Sequence, residues 1–131
     1  MKLKTTVAAM FAIAVLTGCE DLFEEGDMQP DGSKPSLTIN APTINQNVQQ
    51  TQGLRIFITG FDKDLVKTLR FTVKQNETDV LSFERALDKK AFEYDTTIAM
   101  SNASAGTYQL LVRAVDGRTN VAEQKVSFTV R

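Results

Sequence analysis

No histidine and no tryptophan occur in this sequence, and cysteine occurs once. The missing histidine removes the commonest general base, the commonest catalytic-triad member and a favoured transition-metal ligand. One cysteine excludes an internal disulfide, so the fold must stand on its apolar core. Without tryptophan, and with only two tyrosines, the flat rings that usually receive sugars are scarce. Proline is also scarce, at three residues. Positive charge is not concentrated anywhere. Fifteen Lys/Arg balance sixteen Asp/Glu, for a net charge of −1, and there is no basic block of the kind that nucleic acid requires. No phosphate-binding glycine loop is present. The sequence therefore offers no motif for an enzyme, no cofactor and no nucleic-acid partner.

The single cysteine closes Leu16-Thr17-Gly18-Cys19. Lys2 and Lys4 precede an uncharged, mostly apolar run from Thr5 to Leu16, followed by small residues. This is the layout of a secretory signal. The run falls short of the roughly 20 apolar residues that a membrane-spanning helix needs. Leu-Thr-Gly-Cys resembles the lipobox of bacterial lipoproteins. The resemblance implies cleavage after residue 18, acylation of Cys19, and residence in the bacterial cell envelope, at the outer membrane, by a lipid anchor. Two or more acyl chains give stable attachment where one gives only marginal binding. The lipid bilayer is thus the first expected partner.

Residues 19–35 follow as an acidic tether. Glu20, Asp21, Glu24, Glu25, Asp27 and Asp31 face only Lys34, with two of the three prolines among them. Such composition cannot bury enough apolar surface to fold and serves as a linker. Glu20, Asp21, Glu24 and Glu25 also resemble the acidic export signals of some Gram-negative lipoproteins, which implies a surface-exposed protein. Solvated linker and export address both remain open readings of this tract.

From residue 36 to 131 the pattern changes to short alternating runs. Leu37 and Ile39 mark a first strand, ended by Ala41-Pro42. Leu54, Ile56, Ile58 and Gly60 share one face of a second. Leu69, Phe71 and Val73 share one face of a third. Val80–Glu84 follows the turn Asn76–Asp79, and Phe92 and Tyr94 open a fifth segment running to Ile98. Tyr108, Leu110, Val112 and Ala114 line a sixth, and Val126, Phe128 and Val130 a last. Period-two alternation between turns predicts antiparallel sheet with one buried face. Residues 83–90 alone have helix-friendly composition. The expected fold is all-β: an antiparallel β-sandwich of about seven strands, in one domain.

Gly106-Thr107-Tyr108-Gln109-Leu110 resembles the tyrosine corner of Ig-like sandwiches, with Leu110 in place of a disulfide cysteine. The stretch to Asn120 is similar to the end of many bacterial Ig-like domains, including families of unknown function. The resemblance implies an Ig-like fold and a structural role for Tyr108, and it is silent on activity. The expected role is a non-enzymatic binding or assembly module with a protein partner. The alternative is a small glycan-binding accessory lipoprotein, with an envelope glycan as partner. That alternative needs Tyr94, Phe57 or Phe61 on the surface. Asp62, Asp64 and Asp116 are the only acidic cluster to weigh for a metal. They fall on two loops that a sandwich would bring to one end. Each aspartate is expected to serve the amides of its own turn, with Lys63 and Arg118 relieving the repulsion, so no metal site is expected.

Overall fold

The computed structural model describes residues 32–131. Six strands account for most of that length: β1 (Ser36–Ala41), β2 (Gln46–Val48), β3 (Leu54–Gln75), β4 (Thr78–Ile98), β5 (Gly106–Asp116) and β6 (Val121–Val130). All pairings are antiparallel except β2 with β6, which is parallel. Among the described residues no helix is long and apolar enough to cross a membrane.

The two layers of the sandwich share strands β3 and β4. The first part of β3, from Phe57 to Phe61, pairs with β1, and its later part, from Val66 to Lys74, pairs with β5. β4 lies along the other edge of β3 over nearly its whole length, from Leu54↔Ile98 to Gln75↔Thr78. One layer is therefore β1, the start of β3 and the end of β4. The other is the start of β4, the end of β3, β5, β6 and β2. The register breaks between Phe61 and Val66, where β3 crosses from one layer to the other. Just beyond, Val66 faces Asp116 and Thr68 faces Val115, leaving Lys67 as an inserted residue. Such a bulge switches which alternate residues point inward. The buried positions accordingly pass from Leu54, Ile56 and Ile58 to Leu69, Phe71 and Val73.

The seven alternating segments read from the sequence correspond to β1, two halves each of β3 and β4, β5 and β6. Two features differ. The second and third segments join into one strand, as do the fourth and fifth. Residues 83–90, helix-friendly in composition, lie within β4, where Phe83, Glu84, Arg85, Ala86 and Lys89 pair with β3 and Asp88, at a φ of 56°, departs from extended backbone. β2 is an additional short strand.

Both layers bury one face in a common core that includes Leu54, Ile58, Phe71, Leu110, Val112 and Phe128. Phe71 stacks on Phe83 at 4.8 Å and meets Tyr94 at 5.1 Å. Gly60 is required where Phe92 lies across it. A Cβ there would collide with the Phe92 ring and stand 2.7 Å from the Ser36 carbonyl oxygen. The opposite face of the larger layer is polar, with Lys74–Asp79 at 3.4 Å and Arg113–Glu123 at 3.8 Å. Exposed pairs of this kind add about 0–1 kcal/mol each, so they solubilise the face more than they hold it.

Candidate functional site

Cys19 and the acidic positions Glu20, Asp21, Glu24 and Glu25 lie outside the described residues. The remaining sequence candidates fall at the two ends of the sandwich and on its outer face.

At one end, the β3 crossing and the turn after β5 bring three carboxylates together. Asp62 and Asp64 belong to the crossing, inside β3 rather than on a loop, and Asp116 is the last residue of β5. One oxygen from each lies within 4.8 Å of the others. Asp62 and Asp116 are each only 2% exposed. Each aspartate also serves local amides. Asp62 Oδ1 accepts from the Asp64 amide at 2.8 Å. Asp116 Oδ1 accepts from the amides of Arg118 and Asn120, both at 2.8 Å, and its Oδ2 accepts from Asn120 Nδ2 at 3.0 Å. Asp62 Oδ2 and Asp64 Oδ2 are buried with no hydrogen-bond donor. Arg118 Nε stands 3.6 Å from Asp64 Oδ2, beyond hydrogen-bond range for that oxygen. Burial pushes the Asp62 carboxyl above the ordinary aspartate range. The Asp64 amide opposes the shift, and the neighbouring Asp116 adds to it.

The chain enters the domain at this same end. Gly32 donates its amide to Asn120 Oδ1 at 3.2 Å, and Ser36 pairs with Phe61 beside the crossing.

The opposite end holds the β3–β4 turn and the loop from Ala99 to Ser104. Tyr108 sits here. Its ring stacks on Phe128 at 5.7 Å, and its hydroxyl donates to the Ser104 carbonyl at 2.7 Å. The bond runs four residues back along the chain, as in a tyrosine corner. Val80 and Leu81 are 50% and 40% exposed at this end. They border a groove with Val73, Met100, Asn102 and Tyr108. No sequence signal marked this pair, because alternation cannot tell a core position from an edge position on a hairpin that extends past the core.

The three rings weighed for sugar contact do not converge. Ile58 is opposite Tyr94, and Phe57 is opposite Asp95. Residues paired across strands share a face. Tyr94 thus faces inward with Ile58, whereas Phe57 faces outward. Phe61 is outward and 58% exposed. Arg55 lies over the Phe57 ring at 5.2 Å and is bound to Asp95 at 2.7 Å. Hydrogen bonds from Arg55 hold the Asp95 carboxyl below its ordinary range.

No family model and no curated protein matches this chain. Solved structures do match in fold. OgpA from Akkermansia muciniphila superposes with a TM-score of 0.60 at 14% identity, over 81% of this chain and 32% of that one. Fibronectin(III)-like modules of Clostridium thermocellum CbhA give a TM-score of 0.52 at 22% identity, over 76% of this chain and 47% of theirs. An engineered protein gives 0.54 at 16% identity, over 74% of this chain and 20% of that one. The chain therefore spans less than half the length of each of these neighbours. At such identities the likeness concerns fold alone: an all-β domain of Ig-like architecture.

Proposed function

We propose that this chain is a bacterial envelope lipoprotein whose Ig-like domain acts as a non-enzymatic binding or assembly module. The anchor rests on Leu16-Thr17-Gly18-Cys19 and the apolar run before it. The observation that carries the binding role is the exposed apolar pair Val80 and Leu81, at the end of the sandwich opposite the chain's entry. A domain held through residues 19–35 at one end presents its other end away from the lipid. Apolar side chains kept exposed there, beside a groove, suit contact with a protein partner. The absence of histidine from the whole sequence fits a role without catalysis.

A second reading is a glycan-binding accessory lipoprotein. It is supported by Phe57 and Phe61 on the outer face of the smaller layer, one of them more than half exposed.

The test uses cells expressing the full chain and fed a fatty-acid analogue. The wild type should carry label in the outer-membrane fraction, and Cys19→Ala should lose both label and membrane association. A mutant labelled as strongly as the wild type rejects the anchor. In the same cells, crosslinked partners should disappear with Val80→Ser/Leu81→Ser and persist with Phe61→Ala. The reverse pattern, with loss of binding to envelope glycan, selects the second reading. Replacing Glu20, Asp21, Glu24 and Glu25 by alanine should hide the domain from added protease if the tract is an address. It should change nothing if the tract is a linker.

A further inference from the structure

We infer that Asp62, Asp64 and Asp116 form a binding site for a calcium ion at the end of the sandwich where the chain enters. The inference is independent of the membrane reading and rests on three properties of the cluster.

The first is the donor that nothing satisfies. Asp62 is 2% exposed, and its Oδ2 is buried without a hydrogen-bond donor. An ionised oxygen so placed has lost water and gained nothing in return. The sequence suggested that Lys63 and Arg118 would relieve this cluster. Arg118 does reach Asp64, at 3.6 Å, yet Asp62 Oδ2 receives no donor from it or from any other described residue. Asp64 Oδ2 is likewise buried without a donor.

The second is spacing. Oxygens bound to calcium at 2.3–2.6 Å stand at most about 5 Å apart across the ion, whereas magnesium, at 2.0–2.1 Å, draws them to within about 4 Å. One oxygen from each carboxylate lies within 4.8 Å of the others, a spread that a calcium ion can bridge.

The third is chemistry and rigidity. All three donors are hard carboxylate oxygens, the type calcium prefers. Asp62 Oδ1 is fixed by the Asp64 amide, and Asp116 by the amides of Arg118 and Asn120. Those bonds hold the side chains in place and leave Asp62 Oδ2 and Asp64 Oδ2 to the ion. The Asp64 side chain is 28% exposed, so water can reach the cluster and complete a shell of six to eight oxygens. Arg118 competes for Asp64. Binding should therefore fall in the weak range of extracellular modules, roughly 0.1–1 mM.

The experiment is thermal unfolding of the full chain in detergent, in chelator, in 10 mM calcium and in 10 mM magnesium. Calcium should raise the melting temperature by several degrees, since a ligand that binds only the folded state stabilises it by mass action. Magnesium should raise it less. Asp64→Asn, at the exposed side of the cluster, should melt in chelator much as the wild type does and lose the calcium response. Arg118→Gln should reach half its response at a lower calcium concentration. Matching wild-type curves in calcium and chelator would overturn the site, and so would an undiminished response in Asp64→Asn. If calcium has no effect but acidification in chelator raises the melting temperature, a proton on Asp62 fills the gap, and the inference is wrong.

Discussion

Tyr108 shows at the scale of one residue how a polar group is accommodated at the rim of an apolar core. Its ring belongs to that core and its hydroxyl is satisfied by the Ser104 carbonyl at 2.7 Å. Tyr108→Phe keeps the ring and strands the carbonyl, at a cost of about 1 kcal/mol. A melting temperature lowered by several degrees, with an unchanged denaturant slope, is the expected result. No change would mean that the hydroxyl holds nothing. This residue was legible in the sequence, because glycine, tyrosine and the first core position fall at fixed spacing on one strand. The roles of Tyr94 and Phe57 were not. Their side of the sheet depends on a pairing register that no local pattern encodes. The aspartates were legible as a group, since the ends of two strands were expected to meet. Whether a donor would reach Asp62 Oδ2 depends on where the Arg118 side chain settles, and that is a tertiary matter.

Among the elements, the β3–β4 hairpin departs most from its sequence pattern. Alternation lapses between Phe61 and Leu65 and resumes with its parity changed after Val66, so two strands were read where one bends. Charges from Glu84 to Lys90 suggested a helix or turn, but pairing to β3, with register shifts on either side of Val66, overrides that local preference. β2 was missed for the opposite reason. Gln46-Asn47-Val48 contains one apolar residue, and its place comes from backbone pairing to β6. The turn itself was visible. Gln75 pairs with Thr78, which leaves Asn76 and Glu77 as a two-residue loop with φ of 52° and 66°. A turn with both central residues at positive φ favours Asn-Gly. Glutamate at the second position is strained, and Glu77→Gly should stabilise the domain by about 0.5–1 kcal/mol. Chemical denaturation would show this as a higher midpoint with the same slope. A lower midpoint would mean that the Glu77 side chain matters more than its backbone.

In the whole molecule, the first and the last of the described residues lie at opposite ends of one core. Gly32 and Ser36 lie at the crossing of β3. Val130 faces Gly106 at the far end. Fold class was readable because a single alternating stretch of chain, without disulfides, has to close one core. The parallel β2–β6 pair adds a mechanical consequence. Ser127 accepts from Asn45, Val48 accepts from Arg131, and Arg131 accepts from Gln50, so the segment after β1 is tied to the last strand. Tension applied between Gly32 and Arg131 would run along the strands and load these bonds side by side, so that they must fail together. Tension between Asn76 and Arg131, at the same end, would peel them one after another. Single-molecule pulling through cysteines placed at each pair should therefore give a clearly higher rupture force for the first geometry, and equal forces would refute the argument. Loaded between Gly32 and Arg131, the domain is a shear joint, strongest in the direction that runs along its own strands.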